Sequence, residues 1–63
     1  MKFILFNGKD YIRTDMITRI QIDTCSVYVY TNDGKNYAYH GYSEADAKIK
    51  AVEFVTRLNK MLL

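Results

Sequence analysis

Three residue types in this chain could do chemistry, and two of them occur once. Cys25 is the single cysteine, His40 the single histidine, and five of the six tyrosines lie between Val27 and Tyr42. A thiol and an imidazole are the parts of a nucleophile–base pair, which works only within hydrogen-bond reach. Cys25 sits at a turn beside Val27, and the hairpin register expected below sets Val27 opposite His40, so the two share one end of a sheet. No companion set surrounds His40, however, and one histidine plus one cysteine cannot furnish the ligands of a tetrahedral zinc site. Gly8, Gly34 and Gly41 serve turns and the approach to a helix; none forms a phosphate-binding loop. The expectation is a protein that is not an enzyme, with no catalytic residue, no metal and no cofactor.

The tyrosines carry three readings. Tyrosine is a good strand former, and opposed aromatic pairs stabilise an exposed sheet face by roughly 0.2–1 kcal/mol each. Tyrosine and arginine are also enriched at protein interfaces. Finally, aromatic rings on a sheet can stack the bases of single-stranded nucleic acid, although only Arg19 and Lys35 supply positive charge close by.

The elements that position these rings follow from spacing. Phe3–Phe6 has strand composition, and Asn7-Gly8 is the preferred pair for a two-residue type I′ turn, which sets Phe6 opposite Lys9 and Ile4 opposite Tyr11. Residues 16–23 alternate, with Met16, Thr18, Ile20 and Ile22 on one face and Ile17, Arg19, Gln21 and Asp23 on the other. Thr24-Cys25 makes a poor turn, since neither residue favours positive φ. Residues 26–31 alternate again, and Asp33-Gly34 is a second type I′ signal. Read as a two-residue turn, it opposes Tyr30 to Tyr37, Val29 to Ala38, Tyr28 to Tyr39 and Val27 to His40. Tyr28, Tyr30, Tyr37 and Tyr39 then share one face with Arg19 and Gln21, while Ile20, Ile22, Val27, Val29 and Ala38 share the other.

Ser43-Glu44-Ala45-Asp46 approximates a capping box, and nothing breaks a helix over 44–62. Glu44 and Asp46 suit its N-terminal end, Arg57 and Lys60 its C-terminal end. Ala47, Ala51, Phe54, Val55, Leu58, Met61 and Leu62 form a broad stripe suited to cover the aliphatic sheet face. A second apolar seam remains: Ala45, Ile49, Val52 and Thr56. The fold class is therefore α+β: an antiparallel β-meander of four to five strands over residues 2–42, with one C-terminal helix over 44–62 on one face.

The totals bound the rest. A chain of 63 residues reads as one small domain of marginal stability. A hydrophobic content of 49% excludes disorder, and a formal charge of +2 gives no strong footprint for nucleic acid. The apolar run Phe3–Phe6 is too short for a signal peptide, and no stretch approaches a membrane span. A lone cysteine excludes a disulfide scaffold. A cytoplasmic protein without membrane contact is expected.

The pattern Ile17-x-x-Ile20, VYVYTNDGKNY, Tyr42-Ser43-Glu44-Ala45 and Ala51-Val52-x-x-Val55-x-x-Leu58 resembles short uncharacterised bacterial and prophage proteins with a β-meander and an S-E-A helix start. It is also similar to the last strands and C-terminal helix of pleckstrin-homology-like domains. No functional residue carries over from either. The resemblance implies a bacterial or phage accessory protein that binds rather than catalyses. Two surfaces are expected to be available: a sheet face of Arg19, Gln21, Tyr28, Tyr30, Tyr37 and Tyr39, and a helix seam of Ala45, Ile49, Val52 and Thr56. The expected partner is a second copy, a dimer being favoured, or another protein. A single-stranded nucleic acid or nucleotide stacked on the tyrosines is the alternative.

Overall fold

The computed structural model describes residues 2–62. Strands β1 (Phe3–Leu5) and β2 (Tyr11–Arg13) form one antiparallel hairpin. A 3-10 turn over Thr14–Met16 leads into a meander of β3 (Ile17–Asp23), β4 (Ser26–Thr31) and β5 (Asn36–His40), followed by helix α1 (Glu44–Leu62). The fold is α+β, with a β-meander and a single C-terminal helix.

The helix begins where its cap dictates. The Asp46 amide donates to Ser43 Oγ at 3.2 Å, which satisfies one of the free first-turn N–H groups. The Asp46 carboxylate accepts from the Tyr42 amide at 2.9 Å, one residue further back than a full capping box would place it.

Both glycine hairpins depart from the expected register, and for the same reason. Neither is a two-residue turn. In the first, the Phe6 amide donates to the Asp10 carbonyl at 3.0 Å, so the loop is Asn7-Gly8-Lys9 and Ile4 opposes Ile12 rather than Tyr11. Asn7 builds this loop: its Oδ1 accepts from the amides of Asp10 (2.9 Å) and Lys9 (3.2 Å). In the second, the Thr31 amide donates to the Lys35 carbonyl at 3.0 Å around Asn32, Asp33 and Gly34. A type I′ turn needs positive φ at both central residues, but only Gly34 has it, at +85°. This is the three-residue loop that ends in a left-handed glycine. The Asp33 carboxylate accepts from the Thr31 hydroxyl and the Lys35 amide. The Thr31 hydroxyl holds the Asp33 carboxyl below its ordinary value, and the Lys35 amide adds to this.

One residue more in the loop turns over the whole of β5. Val29 opposes Tyr37, Tyr28 opposes Ala38, Val27 opposes Tyr39 and Ser26 opposes His40. Tyr37 and Tyr39 therefore pack against the core on the helix side. Ala38 and His40 face outward, and Val27 does not oppose His40. The register of β3 on β4 is the expected one: Ile22 opposes Val27, Gln21 Tyr28, Ile20 Val29 and Arg19 Tyr30. A bulge between Ile17 and Arg19 re-phases the start of β3, so Ile17 packs on the core alongside Ile20 instead of facing away from it.

The core is built from three sources. Ile4, Phe6 and Ile12 come from the first hairpin, Val27 and Val29 from β4, and Ala47, Ala51, Phe54 and Leu58 from α1. Phe6 meets Phe54 edge-on at 4.9 Å between ring centroids. The hairpin lies on the Arg57 side of the helix, where Arg57 donates to the Leu5 carbonyl at 2.7 Å. This shifts the buried arc of α1 away from Val55 and Leu62. Both were expected in the core stripe; Val55 is 37% and Leu62 61% exposed. Met61 is half-buried against the core.

Candidate interaction surfaces

The outer face of the meander holds Arg19, Gln21, Asp23, Ser26, Tyr28, Tyr30, Asn36, Ala38 and His40, as the registers of β3, β4 and β5 require. The expected four-tyrosine ladder is not formed, because Tyr37 and Tyr39 lie on the opposite face. What remains is tied together laterally. The Arg19 guanidinium lies over the Tyr30 ring at 5.5 Å, and the Tyr30 hydroxyl donates to Gln21 Oε1 at 3.3 Å. Tyr28 meets His40 edge-on at 6.4 Å. This face ties the Tyr30 hydroxyl to Gln21 and leaves two half-buried rings.

His40 has a partner that sequence reading missed. Its Nδ1 lies 2.9 Å from Ser26 Oγ. Ser26, on the central strand β4, is buried, and His40, on the edge strand β5, is exposed. The signal was available only through the correct β5 register, because the two-residue turn opposes His40 to Val27. Cys25 joins this end through its backbone: its carbonyl accepts from the Gly41 amide at 2.8 Å. Among the described residues no group of three or more histidine, cysteine or acidic side chains could hold a metal ion, and no helix is long and apolar enough to cross a membrane.

Tyr39 has a different role from the one its sequence neighbourhood suggested. Lys50 lays its stem across two rings, with Nζ 5.4 Å from the Tyr39 centroid and 5.8 Å from that of Phe6. Glu53 takes the ammonium at 3.6 Å and, with its other oxygen, Arg57 Nε at 2.7 Å. Lys50, Glu53 and Arg57 thus seal the hairpin flank of the helix.

The other flank is open. Ala45, Ile49, Val52 and Thr56 are all exposed, with Ile49 at 68% and Val52 at 67%. The Thr56 hydroxyl donates back to the Val52 carbonyl at 2.7 Å, so its polar end is occupied within the helix. Val55 joins this seam to the core stripe. Between α1 and β3 runs a groove of about 350 Å³ lined by Ile20, Ile22, Ala51, Val52, Val55 and Thr56. Next to it, Lys48, Ile49, Val52 and Glu53 line a second shallow hollow. Ile22, at the sheet edge, is itself 42% exposed. Sequence reading found the seam but not the groove. The groove exists because the first hairpin covers one flank of the helix and none of the described residues covers the other.

Comparisons with family models, with curated proteins and with solved structures returned no match for this chain.

Proposed function

We propose that this protein is a non-enzymatic, self-associating binding module whose contact surface is the helix seam together with the groove along β3. The observation that supports this reading is continuity. Ile22, Val52, Val55 and Ile49 are each substantially exposed, and they border one apolar strip that runs from a sheet edge over the back of the helix. Singly exposed apolar residues need no explanation, but a contiguous patch rimmed by charge marks an interaction site. Lys48 and Glu44, paired at 3.4 Å, supply part of that rim. A small chain also gains stability from covering such a patch.

The test is the mass in solution of the wild type and of Val52→Lys, by light scattering up to high micromolar concentration. The wild type is expected above monomer mass. Val52→Lys is expected at monomer mass with an unchanged circular dichroism spectrum and a melting temperature lowered only by the lost association, since Val52 is exposed and lies outside the buried core. A wild type that stays strictly monomeric, or a Val52→Lys protein that assembles as before, overturns the reading. The nucleic-acid alternative keeps only Tyr28 and Tyr30 as stacking rings on the outer face. It predicts quenching of tyrosine fluorescence by a single-stranded oligonucleotide at low salt.

A further inference from the structure

The two edges of the meander end differently. On β5 the outward carbonyl of Ala38 accepts from Asn7 Nδ2 at 2.9 Å, so the first hairpin occupies the middle of that edge. On β3 the alternation of hydrogen bonds decides which groups point out. The Thr24-Cys25 turn closes on Asp23 opposite Ser26, so Asp23, Gln21 and Arg19 exchange their bonds with β4. Ile20 and Ile22 therefore aim their N–H and C=O groups away from the sheet. Among the described residues no hydrogen bond reaches these groups from outside the sheet. A strand edge left this way is a template for another strand.

We infer that the occupant is β3 of a second copy of this chain, paired antiparallel about a two-fold axis at Gln21. The inference rests on the self-association reading above and gives it a register. The bulge between Ile17 and Arg19 ends the regular edge on one side and the turn ends it on the other, which leaves Arg19 to Asp23 as the usable stretch. Only one antiparallel register pairs all of this stretch with all of its copy. It sets Gln21 opposite the partner's Gln21, Arg19 opposite the partner's Asp23, and Ile20 opposite the partner's Ile22.

Three independent features agree with that register. Charge is complementary, because the outer face carries one cation and one anion at equal distances from the axis, so both like-charge encounters are avoided. Hydrogen bonding is complementary, because Ile20 and Ile22 are the residues with outward groups and they face each other. Shape and polarity are complementary on the helix side, where isoleucine meets isoleucine and the two α1–β3 grooves close on one another over Val52 and Val55. A shift of one residue would set Arg19 against the partner's Ile22, and a shift of two would lose both ion pairs. The result is an isologous interface, with one continuous six-stranded sheet formed from two meanders.

Charge reversal tests the register. Arg19→Asp and Asp23→Arg should each weaken self-association by about tenfold or more, because each variant meets its own like charge twice. Mixed one to one, the two variants should associate as tightly as the wild type, because every pair is then unlike; sedimentation velocity reads this directly. In a Cys25→Ser background, Gln21→Cys should form a disulfide-linked dimer under mild oxidation. The Cα atoms of such a non-hydrogen-bonded pair lie about 4.5 Å apart, within disulfide reach. If Arg19→Asp and Asp23→Arg assemble like the wild type and Gln21→Cys does not cross-link, the β3 register is wrong. A loss on Val52→Lys would in that case leave the seam reading standing. If both single variants weaken but the mixture does not recover, the charges act on folding and the pairing is overturned. A monomeric wild type overturns both.

Discussion

Thr24 is the one described residue other than glycine with positive φ, at 50°. A β-branched residue in that region is strained, and the first position of such a two-residue turn favours glycine. Left-handed backbone costs an L-residue about 1–2 kcal/mol. Glycine returns about 0.4–1 kcal/mol of this through its freer unfolded chain. Thr24→Gly should therefore stabilise the protein by about 0.5–1 kcal/mol, which for a domain of this size is a rise of a few degrees in Tm. Thermal unfolding by circular dichroism checks it, and an unchanged or lower Tm would show that the turn is not strained. The Thr24 hydroxyl donates only to the exposed Asp23 carbonyl, so little is lost with it. Asn7 is the opposite case. It accepts twice within its own loop, donates to Asp10 at 2.7 Å, and still reaches the Ala38 carbonyl at 2.9 Å. One side chain shapes a hairpin and caps a sheet edge.

At the scale of elements, the joint between β5 and α1 depends on a missing side chain. A Cβ on Gly41 would lie 2.8 Å from the Asp46 Cβ, 3.3 Å from the Cys25 carbonyl and 3.4 Å from the Tyr39 ring. Gly41→Ala must push the helix cap off the β3–β4 turn, which places it among overpacking changes that cost about 1–3 kcal/mol. Urea denaturation should show a lower midpoint at unchanged slope; an unchanged midpoint would mean that the joint has slack. Much of this architecture was legible in the sequence. The helix, its cap, its second seam and the β3–β4 register all followed from periodicity and from the need to keep Arg19 and Gln21 away from Ile20 and Ile22. The glycine hairpins did not. Asn-Gly and Asp-Gly occur in both two- and three-residue loops, and side-chain bonds from Asn7 and around Asp33 favoured the longer ones. The longer loop also places the rings of Tyr37 and Tyr39, rather than Ala38, against the core, which buries more apolar surface. The bulge before Arg19 left no mark on the alternation. The groove was out of reach for the same reason, because its existence depends on which helix flank a distant hairpin covers.

At the scale of the molecule, the bond from Arg57 to the Leu5 carbonyl joins positions 52 residues apart, and Lys2 Nζ reaches the Met61 carbonyl at 2.5 Å. The three strands of the meander share one hydrogen-bonded ladder, whereas the first hairpin is a separate two-stranded sheet held to the rest through side chains and single bonds. The meander and helix should therefore assemble first, and β1–β2 should join last and leave first. Native-state hydrogen exchange would reveal this as a separate opening unit: the amides of Ile4 and Ile12 should exchange faster than those of Val27 and Val29, and equal rates would mean a single cooperative unit. The strap between Leu5 and Arg57 is thus a latch, and when it lifts, Phe6 leaves Phe54 and the Ala38 edge of the sheet is bared.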